Sequence, residues 1–177
     1  MTAPAPQATD LDGEQIATLL DRLASEIRED TDLDLRNCLI FGLETGGLWL
    51  AQELQQRLQL PSETGSINVH FYRDDFSRIG LHPSVGASHV PEPIDDRHII
   101  MVDDVLYTGR TLRAAMNELF DYGRPASIRL AVLIDRGGRE LPIQADYVGY
   151  RWRVPARQNL DLRGPKPLSL KVLEAST

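Results

Sequence analysis

The sequence predicts an α/β protein with a mainly parallel central sheet flanked by helices. Short apolar runs near residues 38, 99 and 128 alternate with stretches whose apolar residues recur at three- and four-residue spacing. That alternation is the mark of strands joined by helical crossovers. Residues 10–30 place Leu11, Ile16, Leu19, Leu20, Leu23 and Ile27 at helical spacing, which predicts an amphipathic helix. The run at 37–43 (Cys-Leu-Ile-Phe at its centre) predicts a buried strand that Gly46-Gly47 breaks. Helical spacing resumes over 48–60 and stops before Pro61. Residues 67–72 alternate apolar and polar, as a strand does. Residues 73–97, with Gly80, Pro83, Gly86, Pro91 and Pro93, show little periodicity. A loop of that length inside a compact domain tends to be functional. A strand at 98–102, a helix at 110–122 and a strand at 127–134 follow. From Asp146 the chain reads as β-rich and irregular, broken by Pro155, Pro165 and Pro167.

The 177 residues suit one domain, expected over 11–177 behind a flexible tail at 1–10. That tail lacks the basic start and apolar segment of a secretory leader. No apolar run approaches the roughly 18 residues of a membrane span. The single Cys38 rules out an internal disulfide and suits a reducing cytoplasm. Net charge is −7 but uneven: residues 1–89 carry 6 basic and 14 acidic side chains, residues 122–177 carry 10 and 5. Such asymmetry fits a face for polyanions, an anionic substrate or simple surface bias, and decides among them only with other evidence.

Four loops follow predicted strands, so all four can meet at one edge of a parallel sheet, where ligands of open α/β sheets bind. The most informative is Val102-Asp103-Asp104-Val105-Leu106-Tyr107-Thr108-Gly109-Arg110-Thr111. Carboxylates at a strand end can grip hydroxyls or a metal ion. A loop entering a helix N-terminus can hold phosphate on backbone N–H groups. A diol at one end and a phosphate at the other describe a ribose 5-phosphate. A nucleotide-hydrolase reading of the acid pair needs a Gly-Lys phosphate cradle, and the chain has no Gly-Lys pair. It has no G-x-G-x-x-G either, so a dinucleotide reading lacks its fingerprint. The second loop, Gly42-Leu43-Glu44-Thr45-Gly46-Gly47, is either a plain turn or a close backbone approach to an anion. The third, Tyr72-Arg73-Asp74-Asp75, opens the long loop and reads as a solvated turn or a charged site. The fourth, Asp135-Arg136-Gly137-Gly138-Arg139-Glu140-Leu141-Pro142, offers arginines as surface ion-pair partners or as donors to an anion or a base carbonyl.

The ordered string at 102–111 resembles the phosphoribosyl-pyrophosphate (PRPP) motif of type I phosphoribosyltransferases. With Tyr72-Arg73-Asp74-Asp75, Gly123-Arg124-Pro125 and Asp135-Arg136-Gly137 it is similar to the PyrR family of pyrimidine-operon regulators that are also uracil phosphoribosyltransferases. The likeness runs from about residue 14 to 150 and on towards Leu170, with a proteobacterial spelling at 117–125. It implies the type I fold with a small hood, and a Mg²⁺-assisted reaction of uracil with PRPP to give UMP and pyrophosphate. Asp103 and Asp104 would hold the ribose hydroxyls, directly or through the metal's water. Val105, Leu106, Tyr107, Thr108, Gly109, Arg110 and Thr111 would wrap the 5′-phosphate. Thr45, Gly46 and Gly47 would meet the pyrophosphate, assisted by Arg73. Asp135, Arg136, Gly137 and Leu141 would form the uracil pocket, and the loop at 74–97 would close to exclude water.

Two departures stand out. Many relatives carry Thr-Arg-Gly where this chain has Thr45-Gly46-Gly47, and the missing guanidinium implies weaker PRPP binding. RNA-binding relatives present a basic or His-bearing first helix, whereas this one reads Asp21-Arg22-Leu23-Ala24-Ser25-Glu26. Acids line a phosphate backbone poorly, and Arg151, Arg153, Arg157 and Arg163 could compensate. Tyr107 stands where purine-type relatives place an acidic base. The resemblance implies pyrimidine-operon mRNA and UMP or UTP as further partners, a homo-oligomer of two or more copies, and regulation of pyrimidine genes. A weakly catalytic RNA-binding sensor of UMP and PRPP, or an enzyme for a purine or orotate, stays open at this level.

Overall fold

A computed structural model describes residues 10–69 and 86–174. The Arg73 site and residues 74–85 of the loop at 74–97 lie outside these residues, as do residues 1–9 of the tail. Strand β1 (Asp10–Leu11) leads into helix α1 (Gly13–Glu29). Asp12 caps it by accepting from the Gln15 N–H at 2.9 Å, while the Gln15 side chain accepts from the Asp12 N–H. Of the predicted stripe, Ile16, Leu20, Leu23 and Ile27 are buried and are joined by Ala24, while Leu19 is half-buried and Leu11 belongs to β1. A 3₁₀ turn (Leu35–Asn37) precedes β2 (Cys38–Leu43), all six of whose residues are buried. Helix α2 (Gly46–Leu58) and β3 (Gly65–Ile67) follow. Then come β4 (His98–Leu106), α3 (Arg110–Phe120), β5 (Ser127–Asp135), β6 (Tyr147–Arg151), β7 (Gln158–Arg163) and β8 (Ser169–Glu174).

Strands β3-β2-β4-β5-β6 form a wholly parallel sheet. Its two faces carry separate cores. Ile40, Ile100, Val102 and Leu133 pack with α1 and α2, while Leu39, Phe41, Met101 and Val132 pack with Leu112, Ala115 and Leu119 of α3. Burial on both faces explains why the strands read as unbroken apolar runs. The hood is a second, antiparallel sheet of order β1-β8-β7, uniting the two ends of the described chain.

Four expectations shift. Asp10, read with the tail, pairs in β1 with Lys171, whose ammonium lies 2.9 Å from its carboxylate. Gly46-Gly47, read as a break, are the first turn of α2. They are small because a Cβ on Gly47 would lie 2.5 Å from the Val102 carbonyl oxygen. The strand expected at 67–72 is Gly65–Ile67 within the described residues. The strand expected to stop at Val102 continues to Leu106, carrying both acids within it. Its pairing with β2 ends at Val102, but its pairing with β5 runs on to Leu106 opposite Asp135. The last turn of β4 therefore has one ladder edge open towards the end of β2.

Candidate active site

The order β3-β2-β4-β5-β6 reverses direction between β2 and β4, and the crevice beyond the carboxyl ends of such a pair is the ligand site of open α/β sheets. Asp103 and Asp104 stand on the open edge of β4 at this crevice. Asp103 is buried, and its carboxylate accepts from the Asp104 N–H at 2.9 Å. Asp104 is half-buried, and one of its oxygens accepts from the Val105 N–H at 2.9 Å. These local bonds fix the orientation of both carboxylates.

On one side of the acids lies the N-terminus of α3. Gly109 is its cap, in the left-handed region at φ +92°, which a side chain would strain. The buried Thr108 hydroxyl oxygen accepts from the Arg110 N–H at 3.2 Å. The Thr108 carbonyl accepts from the N–H groups of Glu140 and Leu141 at 3.0 and 3.1 Å, so the loop at 135–142 braces the loop at 103–111 from behind. The Arg110 guanidinium turns outward to Glu140 at 2.7 Å, leaving its backbone as its contribution to the loop. Val105 and Leu106 complete β4, and Thr111 lies in the first turn of α3.

On the other side lies the N-terminus of α2, whose cap, Thr45, makes no side-chain capping bond. The first-turn N–H groups of such a helix are available to an anion, and the helix dipole favours one. The Glu44–Thr45 peptide is cis. Glu44 ties this loop to β3: its N–H donates to the Ile67 carbonyl at 3.0 Å, and its carboxylate accepts from the Ser66 hydroxyl at 2.8 Å. Gly46 sits against Asp104, for a Cβ there would lie 2.7 Å from the Asp104 Oδ2 and 3.2 Å from Leu162 of the hood.

At the end of β5, Asp135 accepts from the Gly137 N–H at 3.0 Å and from the Arg139 guanidinium at 2.7 Å. Arg139 was only a generic arginine in the sequence, and here it is a clamp. It also donates to the carbonyls of Tyr107 at 2.8 Å, Leu106 at 3.3 Å and Ile143 at 2.9 Å. Its fourfold engagement required knowing that the 103–111 and 135–143 loops are neighbours; the i, i+4 spacing from Asp135 was the one available signal. Arg136 is buried, with its guanidinium carbon 4.0 Å from the centre of the Tyr107 ring. Its Nη2 donates to the Pro155 carbonyl at 3.4 Å. Leu141 and Ile143 flank Gly109. The structure thus gathers the loops at 42–47, 103–111 and 135–142 at one edge, while the loop at 72–75 lies outside the described residues.

Among the described residues, no group of three or more acidic, His or Cys side chains could hold a metal ion. Two adjacent carboxylates suit Mg²⁺, which keeps much of its water and is bound through one or two carboxylates together with substrate phosphates. No helix among the described residues is long and apolar enough to cross a membrane.

A strand-end acid pair between two helix N-termini, on a parallel sheet at its switch point, is an arrangement suited to a ligand bearing phosphate and sugar hydroxyls. Residues 9–157 match the phosphoribosyl transferase domain family. Over 175 residues the chain is 46% identical to the bifunctional protein PyrR of Nitrosococcus oceani, covering 97% of this chain and 96% of that one. It is 49% identical over 136 residues to the bifunctional protein PyrR of Pseudomonas syringae, covering 77% and 80%. Among solved structures, a hypoxanthine-guanine phosphoribosyltransferase of Bacillus anthracis superposes with a TM-score of 0.69 at 18% identity, covering 94% of this chain and 97% of that one. The hypoxanthine phosphoribosyltransferase of Trypanosoma cruzi gives 0.64 at 21%, covering 94% and 95%. These two share the fold. The chain belongs to the phosphoribosyltransferase family and, within it, to the PyrR proteins.

Proposed function

We propose that this protein transfers the phosphoribosyl group of PRPP to uracil, giving UMP and pyrophosphate, and that it regulates pyrimidine genes in the cytoplasm in response to uridine nucleotides. What carries the reading is the acid pair Asp103–Asp104 between two helix N-termini, because PRPP is a diol between two phosphate-bearing ends. Asp103 and Asp104 take the ribose hydroxyls. The loop from Val105 to Thr111 takes the 5′-phosphate through the N–H groups at the start of α3. Thr45, Gly46 and Gly47 take the pyrophosphate at the start of α2, and Arg73 assists there. Asp135, Arg136, Gly137 and Leu141 form the uracil side, with Arg136 as the donor to a base carbonyl. Bound Mg²⁺ would neutralise pyrophosphate charge, held through water by Asp103 and Asp104.

The bond from C1′ to the pyrophosphate oxygen breaks as the bond from uracil N1 to C1′ forms, and the N1 proton passes to solvent. Charge at C1′ is oxocarbenium-like, as in glycosyl transfer generally. The protein's share of catalysis is then orientation of the sugar and stabilisation of the departing anion by fixed N–H dipoles. Uracil N–H groups are fairly acidic, so an acidic base in the phosphate loop is dispensable.

The test is UMP formation from uracil, PRPP and Mg²⁺, run beside an Asp103→Asn/Asp104→Asn double variant. Turnover that the double variant loses while retaining its fold is the expected result. No uracil-dependent turnover in the parent sinks the enzyme reading.

For the regulatory half, the partner is pyrimidine-operon mRNA. The exposed Arg151, which ends the edge strand β6, and Arg153 and Arg157 beyond it support that partner, whereas Asp21 and Glu26 on the exposed face of α1 do not. RNA affinity that falls with salt and responds to UMP is expected. Binding indifferent to both refutes a nucleotide-controlled switch. The same chain is proposed to form a homo-oligomer of two or more copies, which sedimentation velocity would resolve from a monomer.

A further inference from the structure

We infer that the aromatic ring of Tyr107 is the seat on which Arg136 is aimed at the base, so that Tyr107 is a positioning residue for uracil recognition. The inference rests on the functional reading above and on four observations. The Arg136 side chain is buried, at 7% exposure, and its guanidinium carbon stands 4.0 Å from the centre of the Tyr107 ring. No carboxylate among the described residues pairs with it, and its Nε is the one buried side-chain nitrogen or oxygen among them without a hydrogen-bond partner. No hydrogen bond to the Tyr107 hydroxyl is found among the described residues. Gly138 makes room for the ring, for a Cβ there would lie 2.5 Å from Cε2.

A guanidinium stays charged at any pH the protein meets, so burying it without a carboxylate requires another source of negative potential. The face of an aromatic ring supplies it, and more strongly once water is excluded. The contact is tolerant of sliding, because a flat cation on a flat ring face keeps its attraction through small lateral shifts. Arg136 is thus steadied while its Nε keeps an unmet donor; that nitrogen is enclosed, so a base carbonyl reaches it through a small shift of the guanidinium on the ring face. The backbone reinforces the pairing, for the Arg136 N–H donates to the Leu106 carbonyl at 3.1 Å, next to Tyr107. Tyr107 lies in the phosphate loop and Arg136 at the end of β5. The stack therefore links the place that takes the 5′-phosphate to the place that takes the base. It also gives Tyr107 a task other than standing in for an acid base: among the described residues the ring is used, and the hydroxyl is not.

The test uses full-length Tyr107→Leu and Tyr107→Phe with Arg136 intact, varying uracil and PRPP separately. Loss of the ring is expected to raise the KM for uracil about tenfold, with a much smaller change in the KM for PRPP. Tyr107→Phe is expected to recover most of that loss and to keep the parent's pH profile. A loss in Tyr107→Phe equal to that in Tyr107→Leu assigns the effect to the hydroxyl and overturns the inference. Equal rises in both KM values overturn it too, since they assign Tyr107 to the shape of the phosphate loop. Should Tyr107→Leu fail to fold by circular dichroism, Tyr107→Met, also ring-free but longer, takes its place in the same comparison. Absence of uracil-dependent turnover in the parent is a different failure, of the functional reading itself.

Discussion

Gly46 and Gly47 are adjacent in sequence and in the same helical turn, yet replacing each by alanine should damage different properties. A Cβ on Gly46 would lie 2.7 Å from the Asp104 Oδ2 and 3.1 Å from its Cγ. Relief requires the Asp104 carboxylate to swing by several tenths of an ångström, which a side-chain end can do cheaply. Alanine is better than glycine in a helix by up to about 1 kcal/mol, which offsets part of the crowding against Leu162. Stability should therefore change by less than about 1 kcal/mol. Catalysis should not escape, because displacing a positioning group by about 1 Å can cost on the order of 100-fold. For the smaller shift here, a fall in kcat/KM for PRPP of about 10- to 100-fold is expected, roughly 1.4 to 2.7 kcal/mol of transition-state stabilisation. On Gly47 the Cβ would meet the Val102 carbonyl oxygen at 2.5 Å, a backbone atom in the middle of the sheet that cannot turn aside. Gly47→Ala should cost about 1–3 kcal/mol or more of folding stability. Steady-state kinetics beside urea unfolding separates the two. Full activity in Gly46→Ala, or a stability loss in it as large as in Gly47→Ala, would refute the assignment of Gly46 to the seating of Asp104.

Arg139→Ala should destabilise the protein by about 2–4 kcal/mol in denaturant titrations, since it strands Asp135 and the carbonyls of Leu106, Tyr107 and Ile143. Arg139→Lys should recover little, because one ammonium cannot feed acceptors spread around a planar fork. The hydrogen bond from the Tyr147 hydroxyl, opposed by burial and helped by the Asp32 N–H and Arg129, holds the Asp30 carboxyl below its usual range. The folded-state value lies under the unfolded one, so this contribution is complete above pH of about 4 and is lost as pH falls through the depressed value. Tyr147→Phe should flatten that part of the acid-stability curve, and an unchanged curve would count against the Asp30–Tyr147 bond. Chelation of Mg²⁺ should abolish turnover and leave Tm unmoved, since no described cluster could hold a structural ion.

Much of this protein was already legible in order along the chain. The stripe of α1, the apolar runs of β2, β4 and β5 and the turn chemistry at 107–109 are local properties, set by spacing and by residue type. The acid pair and the loop entering α3 are contiguous, so their joint use could be read without a fold. The end of β4 could not. A strand usually yields to a charged pair, but pairing with β5 carries β4 four residues past Val102, and only the lengths of its two neighbours decide that.

The same limit governs Gly46, Tyr107 and Arg139. In sequence, Gly46 is the loss of a guanidinium; in space, it is also the gap that admits Asp104 and Leu162. Tyr107 and Arg136 are separated by a helix and a strand, and their stacking exists only because β4 and β5 end side by side. The sequence by itself determined which chemical groups the protein has and which ones share a loop, since those follow from local propensity and contiguity. Tertiary structure alone decided which loops touch, which charges lose their water and which glycines are gaps rather than hinges. Those properties arise from packing between segments far apart in the chain, where neither spacing nor composition carries the information.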